Sequence, residues 1–183
     1  MTGPVTEKQL IKRCQQGDGK ALKYLYERYS DKMLGVCYRY VNDRDTARDL
    51  LHDGFVTVFT KVSEFRGEGS FEGWMRRVFV NTTLGYLRKN ANLHDPRQVD
   101  DMYDLRGDEV SVLERMSAED LLGAIGQLPE GYRTVLNLYA VEGYSHKEIA
   151  ELLNISEGTS RSQYARAKAC LQKNLRQLDF EPI

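Results

Sequence analysis

Arg161, Ser162, Arg166 and Lys168 are the residues of this chain whose types and spacing most directly imply chemistry, and that chemistry is recognition. A guanidinium fork matches the two acceptors on the major-groove edge of guanine, a hydroxyl can bond any base edge, and an ammonium meets phosphate as a point charge. Such groups act together only from one face of a rigid element. At about 100° per residue, Arg161, Arg166, Lys173 and Arg176 share one half of a helix, with Ser162, Ala165 and Ala169 among them. Tyr164, Ala167, Leu171, Leu175 and Leu178 form the opposite stripe. Small residues between positive ones let a helix approach phosphates and base edges closely, with Lys168 nearer the backbone.

The preceding residues supply the element that would position this helix. Ser145 can cap a helix, and Glu148, three positions on, completes a capping box. Ile149, Ala150, Leu152 and Leu153 give that helix an inward face, and Asn154-Ile155 makes a turn. Ser156 is a second cap, with Glu157 in the first turn, where a carboxylate suits the helix dipole. The pattern is a helix-turn-helix, whose second helix enters the DNA major groove in many proteins. An ordinary amphipathic surface helix can be basic by chance, but the capped helix and tight turn before it weigh against that reading. Ser160 falls on the apolar stripe, so it is expected to be at least partly buried, its hydroxyl bonded one turn back to the Ser156 carbonyl.

The 183 residues leave room for one domain or two small ones. No apolar run approaches membrane-spanning length and no signal-peptide pattern opens the chain, so a cytoplasmic protein without membrane insertion is expected. Cys14, Cys37 and Cys170 are odd in number and far apart, and His52, His94 and His146 are equally scattered. Neither a disulfide framework nor a metal site is expected, and no cofactor. No paired carboxylates or nucleophile–base motif point to an enzyme. The net charge of −1 excludes coating of nucleic acid through bulk charge. Charge is instead segregated: residues 156–178 carry five basic groups against one acidic, and residues 95–120 nine acidic against three basic.

Helical periodicity runs through both ends of the chain. A short helix is expected around Glu7–Gln15. Leu22, Leu25, Tyr29, Met33, Val36 and Tyr40 mark a long one, and Ala47, Leu51, Phe55, Val58 and Val62 the next. Phe65–Ser70 reads as a loop because of its two glycines, and Phe71, Met75, Val78, Thr82 and Tyr86 mark a third long helix. Between about 92 and 117 the apolar period fades while Asp, Pro and Gly accumulate. Helices resume at 118–125, 130–141, 145–153 and 156–178. The expected fold is all-α: a helical domain over 1–92, an acidic linker over 93–116 and a helix-turn-helix domain over 117–183.

In the first domain, Arg77, Asn81, Leu84 and Arg88 line one flank of the third long helix, with Trp74 at its edge. Arginine for phosphates and a ring for unstacked bases suit single-stranded nucleic acid. The runs Asp45–Phe59, Phe65–Arg77 and Val80–Thr83 resemble region 2 of a bacterial sigma factor. Leu128–Leu136 followed by the helix-turn-helix resembles region 4. With an acidic linker in place of region 3, the chain is similar to the extracytoplasmic-function group of sigma-70 family sigma factors.

That resemblance implies a non-enzymatic subunit of core RNA polymerase that confers promoter recognition. Region 4 would read the −35 element as duplex through Arg161, Ser162, Arg166 and Lys168, and region 2 would melt and read the −10 element. Trp74, Arg77, Asn81 and Arg88 would lie along the melted strand, and the Gly67–Phe71 loop, with Phe71, would border a pocket for a flipped base. The polymerase contact maps onto Asp49, His52, Asp53 and Val56. The linker, rich in carboxylates from Asp95 to Glu109, would thread a basic RNA channel. A membrane-tethered anti-sigma factor is the further implied partner. Two positions depart from the family pattern: Ser160 stands where an apolar residue is usual, and His52 where glutamine is common. The competing reading is a helix-turn-helix transcriptional regulator with an N-terminal sensing domain, which would not need the region 2 motifs.

Overall fold

A computed structural model describes residues 6–90 and 117–179, and every regular element among them is helical. The acidic segment that carries Asp95, Asp100, Asp101 and Asp104 lies outside the described residues. Contacts divide the chain into two compact units, Met1–Tyr86 and Leu87–Ile183.

The first unit contains α1 (Glu7–Gln15), α2 (Gly19–Val41), α3 (Arg44–Lys61) with a 3-10 turn at Val62–Glu64, and most of α4 (Phe71–Asn90). Each of the first three helices starts at a side-chain cap. Thr6 and Gln9 form a capping box on α1, Asp18 accepts from the amides of Lys20 and Ala21, and Asp43 accepts from the amide of Thr46. These bonds hold the carboxyls of Asp18 and Asp43 below the usual carboxylate range, with Arg13 the largest influence on Asp18. Asn42 ends α2 in the left-handed region (φ 51°), a conformation asparagine tolerates.

The expected stripes of α2 and α3 are buried at Leu25, Tyr29, Met33, Val36 and Tyr40 and at Ala47, Leu51, Phe55, Val58 and Val62, with Leu22 of the expected α2 stripe only half-buried. In α4 the face is rotated from the expectation. Phe71 and Met75 are buried, but the stripe continues through Phe79, Val80, Thr83, Leu84 and Leu87 rather than Val78, Thr82 and Tyr86, which are half-buried. The reason is that α4 is covered from two sides: Thr83 reaches Cys37 of α2, and the Phe79 ring packs edge-on to Phe55 of α3 at 5.2 Å. Gly54 of α3 lets that ring approach the α3 backbone, since a Cβ there would stand 2.2 Å from Phe79 Cε1. Cys14 and Cys37 pack as small hydrophobes in this core.

The second unit contains α5 (Ala118–Gly126), α6 (Glu130–Leu136), α7 (His146–Leu153) and α8 (Glu157–Asp179). Ile125, Leu128, Leu136 and Ala167 form its core, with Leu121, Tyr132, Tyr164, Cys170 and Leu171 packed around them. Arg133, only 8 % exposed, donates through Nη1 to the carbonyls of Gly126 and Leu128, both at 2.9 Å. Its guanidinium therefore satisfies the end of α5 and is not a nucleic-acid contact, and burial pulls its pKa down.

The helix expected over 130–141 does not run through as α-helix. After Leu136 it widens into a π-helical turn over Asn137–Val141. Buried Asn137 donates its side-chain amide to the Arg133 carbonyl one turn back, and the Glu142 amide then bonds the Asn137 carbonyl five residues away. The turn leaves Tyr139 39 % exposed and stacked on His146.

Candidate nucleic-acid interface

The helix-turn-helix is built by the caps that the sequence indicates. Ser145 caps α7, its amide donating to Glu148 Oε2 at 2.8 Å while the Glu148 amide donates to Ser145 Oγ at 3.3 Å. The Ser145 hydroxyl, donating to Glu148 Oε2 at 2.7 Å, and then the Ser145 amide lower the Glu148 pKa, so the contribution of the cap is present above the unfolded carboxylate pKa and is lost as pH falls through the folded one. Asn154 closes α7 in the left-handed region (φ 54°), and the Thr159 amide donates to Ser156 Oγ at 2.9 Å to cap α8. Ile149 and Leu153 are buried, whereas Ala150 and Leu152 are half-buried.

On α8 the two faces separate as read, with one exception. Arg161, Ser162, Ala165, Arg166 and Lys168 are exposed while Ala167 is fully buried, but Ala169, expected on the basic half, is only 9 % exposed. The Arg161 guanidinium pairs with Glu157 one turn earlier, and Lys168 Nζ sits 5.7 Å from the centroid of the Tyr164 ring. Both cations are thereby held against their own helix.

Ser160 is completely buried, but its hydroxyl does not bond the Ser156 carbonyl. That carbonyl accepts from the Ser160 amide at 3.0 Å, and Ser160 Oγ is hydrogen-bonded to His146 Nδ1 at 2.9 Å. His146 is stacked on Tyr139 at 4.4 Å and lies edge-on to Tyr164 at 5.8 Å. A polar contact between the two helices thus occupies a place where an apolar one was expected. Replacing Ser160 by valine removes this hydroxyl and leaves the imidazole nitrogen without that bond. Ser160→Val is therefore expected to destabilise the chain by about 1 kcal/mol, measured by chemical denaturation. In a double-mutant cycle with His146→Leu the two losses should be clearly less than additive; additive losses would mean that the bond contributes nothing.

Along α4, Arg77, Asn81 and Arg88 are exposed, and Trp74 is half-buried. Leu84, expected beside them, is 1 % exposed and belongs to the core. Phe71 is also 1 % exposed and offers no surface to a strand; its ring lies 5.5 Å beneath Trp74, 24° from parallel, with Phe65 5.7 Å from the Trp74 ring. Phe71 is therefore the support for Trp74 rather than a contact residue. The Phe65–Ser70 loop contains Gly67 and Gly69 at φ 81° and 77°, conformations that any other residue would adopt with strain. A groove of about 570 Å³ lies between this loop and α1, with Lys8, Lys12, Gln15, Arg66 and Gly67 on its walls. No sequence pattern pointed to Lys8 and Lys12, because their place beside the loop depends on how α1 packs.

Asp49, His52, Asp53 and Val56 form an exposed row on α3, with Val56 52 % exposed. Tyr26 of α2, 41 % exposed, extends this surface, its ring 4.7 Å from that of Phe55. The sequence reading missed Tyr26, which lies off the buried stripe of α2. Among the described residues no group of three or more His, Cys, Asp or Glu could hold a metal ion. None of the described helices is long and apolar enough to cross a membrane.

Comparison with known proteins agrees with this arrangement. Residues 25–92 match the family described as Sigma-70 region 2, and residues 118–171 that described as Sigma-70, region 4. The chain is 32 % identical to the ECF RNA polymerase sigma-E factor of Haemophilus influenzae, over 97 % of this chain and 100 % of that one. It is also 32 % identical to the RNA polymerase sigma-H factor of Pseudomonas aeruginosa, over 94 % of this chain and 95 % of that one. The solved structure of the sigma factor RpoE from Bartonella quintana, in complex with the anti-sigma factor NepR, shares the fold. Its TM-score is 0.52 at 19 % identity, covering 86 % of this chain and 98 % of that one. With both sigma-70 regions in order and relatives matched over nearly their whole length, this chain belongs to the extracytoplasmic-function group of sigma-70 family RNA polymerase sigma factors.

Proposed function

We propose that this chain docks on core RNA polymerase and directs it to promoters, reading a duplex −35 element with its second unit and melting and reading the −10 element with its first. The observation that carries the reading is the exposed flank of α8, where Arg161, Ser162, Arg166 and Lys168 face solvent from a helix seated on Ser160 and Ala167. In this assignment residues 1–92 are the polymerase-binding and −10 domain, 93–116 the linker and 117–183 the −35 domain. Asp49, His52, Asp53 and Val56 meet the polymerase, and Trp74, Arg77, Asn81 and Arg88 follow the melted strand. The protein works in the cytoplasm, held inactive by a membrane-tethered anti-sigma factor. The complex of the Bartonella relative with the anti-sigma factor NepR supports a partner of that class.

Run-off transcription tests the reading. Purified core polymerase with this chain should initiate at a cognate promoter, which a repressor or activator cannot make it do. A finer test separates melting from docking. Asn81→Ala should impair opening about tenfold on duplex templates while leaving polymerase affinity intact, and a premelted promoter should restore most of the activity because unpairing no longer has to be driven. Equal defects on both templates would place the damage in the fold or in the docking face.

A further inference from the structure

We infer that Gln15 is the positioning residue of the strand-reading loop, an assignment that rests on the proposed reading of the first unit. Its side-chain amide donates to two carbonyls of a segment about fifty residues away, those of Val62 and Phe65, both at 3.1 Å. Val62 O also accepts from the Phe65 amide at 3.3 Å, so one side-chain nitrogen secures both ends of the 3-10 turn from which the loop departs.

The anchor itself is rigid. Leu10 and Cys14 of α1 are 2 % exposed, and Glu7 accepts a hydrogen bond from Tyr29 OH at 3.0 Å. The corner after Gln15 is locked by Arg13, whose Nε and Nη2 meet Asp18 Oδ2 at 2.8 and 2.7 Å. The far end of the loop is fixed by buried Phe71 and by the Trp74 amide, which donates to the Ser70 carbonyl at 3.0 Å. Arg66–Ser70 therefore spans two fixed points, and its path along the groove depends on where Gln15 holds the first. The groove carries Lys8, Lys12 and Arg66 for phosphate, and Gly67 and Gly69 leave loop backbone accessible to a base edge. Gln15 touches no base in this scheme. It sets the loop, and the loop discriminates, because base readout demands placement to within a fraction of an ångström.

The experiment uses holoenzyme reconstituted from core polymerase and the full chain, on promoter fragments premelted at −10 with each melted position randomised. Gln15→Leu removes both donors at similar size, and Gln15→Glu keeps the shape but presents a carboxylate that cannot donate. Both should lower base discrimination at one melted position by about three- to tenfold. In Gln15→Leu, polymerase affinity, −35 duplex binding and binding averaged over bases should stay within about twofold, since nothing they depend on has moved. In Gln15→Glu the added negative charge beside Lys8 and Lys12 should weaken strand binding evenly over bases and cancel in a ratio between them. Gln15→Lys retains a donor of similar reach, and its added attraction to phosphate cancels in a ratio between bases, so it should restore discrimination. Parental discrimination in the leucine and glutamate variants, its loss in the lysine variant, or a merely uniform loss over all bases in the leucine variant would overturn the assignment. A parent protein with no base preference in the melted strand would overturn the reading on which it rests, an outcome visible without any Gln15 variant.

Discussion

Gly54→Ala should destabilise the chain by about 2 kcal/mol or more, whereas Gly35→Ala should stabilise it by up to about 1 kcal/mol. Both glycines are in helices, where alanine is intrinsically preferred, so propensity predicts the same sign for each. Their surroundings decide otherwise. A methyl at Gly35 meets nothing within 4 Å, whereas one at Gly54 would lie 2.2, 2.5 and 2.7 Å from three carbons of the Phe79 ring. Relief requires the ring to move by more than about 1 Å to reach ordinary carbon–carbon separation, and Phe79 is fully buried with Phe55 against its edge. A close-packed interior resists such a shift, so the overpacking term exceeds the propensity gain. Chemical denaturation of the full chain, with the first unit followed by Trp74 fluorescence, measures the difference. Equal shifts for the two variants would show that the α3–α4 contact is loose.

Arg161→Ala should cost about 1–3 kcal/mol of discrimination, some five- to 150-fold, at one base pair of the −35 element. Arg161 is exposed in the second turn of α8, in the part of a recognition helix that meets base edges. Its pairing with Glu157 refines the expectation. An exposed pair of this kind contributes little to stability, but it constrains where the guanidinium waits, and DNA must compete with the carboxylate. Glu157→Gln should therefore tighten binding to all sequences, by removing a negative charge near phosphate, while narrowing the preference at the Arg161 base. Lys173→Ala should weaken binding evenly and reduce the salt slope by about 1. Selection from a randomised −35 library at several salt concentrations separates the three. Unchanged base preference in Arg161→Ala would remove this residue from the readout.

The helix-turn-helix was legible in sequence because its determinants are local. Ser145, Glu148, Asn154 and Ser156 cap and turn within four residues of the groups they satisfy, so spacing alone places them. The stripes of α2 and α3 were legible for a related reason: each helix buries a single face, and a single face has one period. In α4 the same logic failed. Two neighbours, α2 and α3, cover it, and the buried sector shifts to Phe79, Val80, Thr83 and Leu84. The misplacement of Leu84 among candidate contacts follows from that shift, whereas Phe71 is buried on the stripe expected for it.

Partners chosen across long sequence separations were not legible at all. Ser160 finds His146 fourteen residues away, and Gln15 finds Val62 and Phe65 some fifty away. Nor does a helical period reveal that the helix widens into a π-helical turn at Asn137–Val141. The sequence by itself determined the helices, their caps and the basic flank of α8, since these depend on neighbours one turn away. Only the tertiary structure decided which polar side chains bond across helices, because a buried hydroxyl or amide takes whichever partner packing brings within reach.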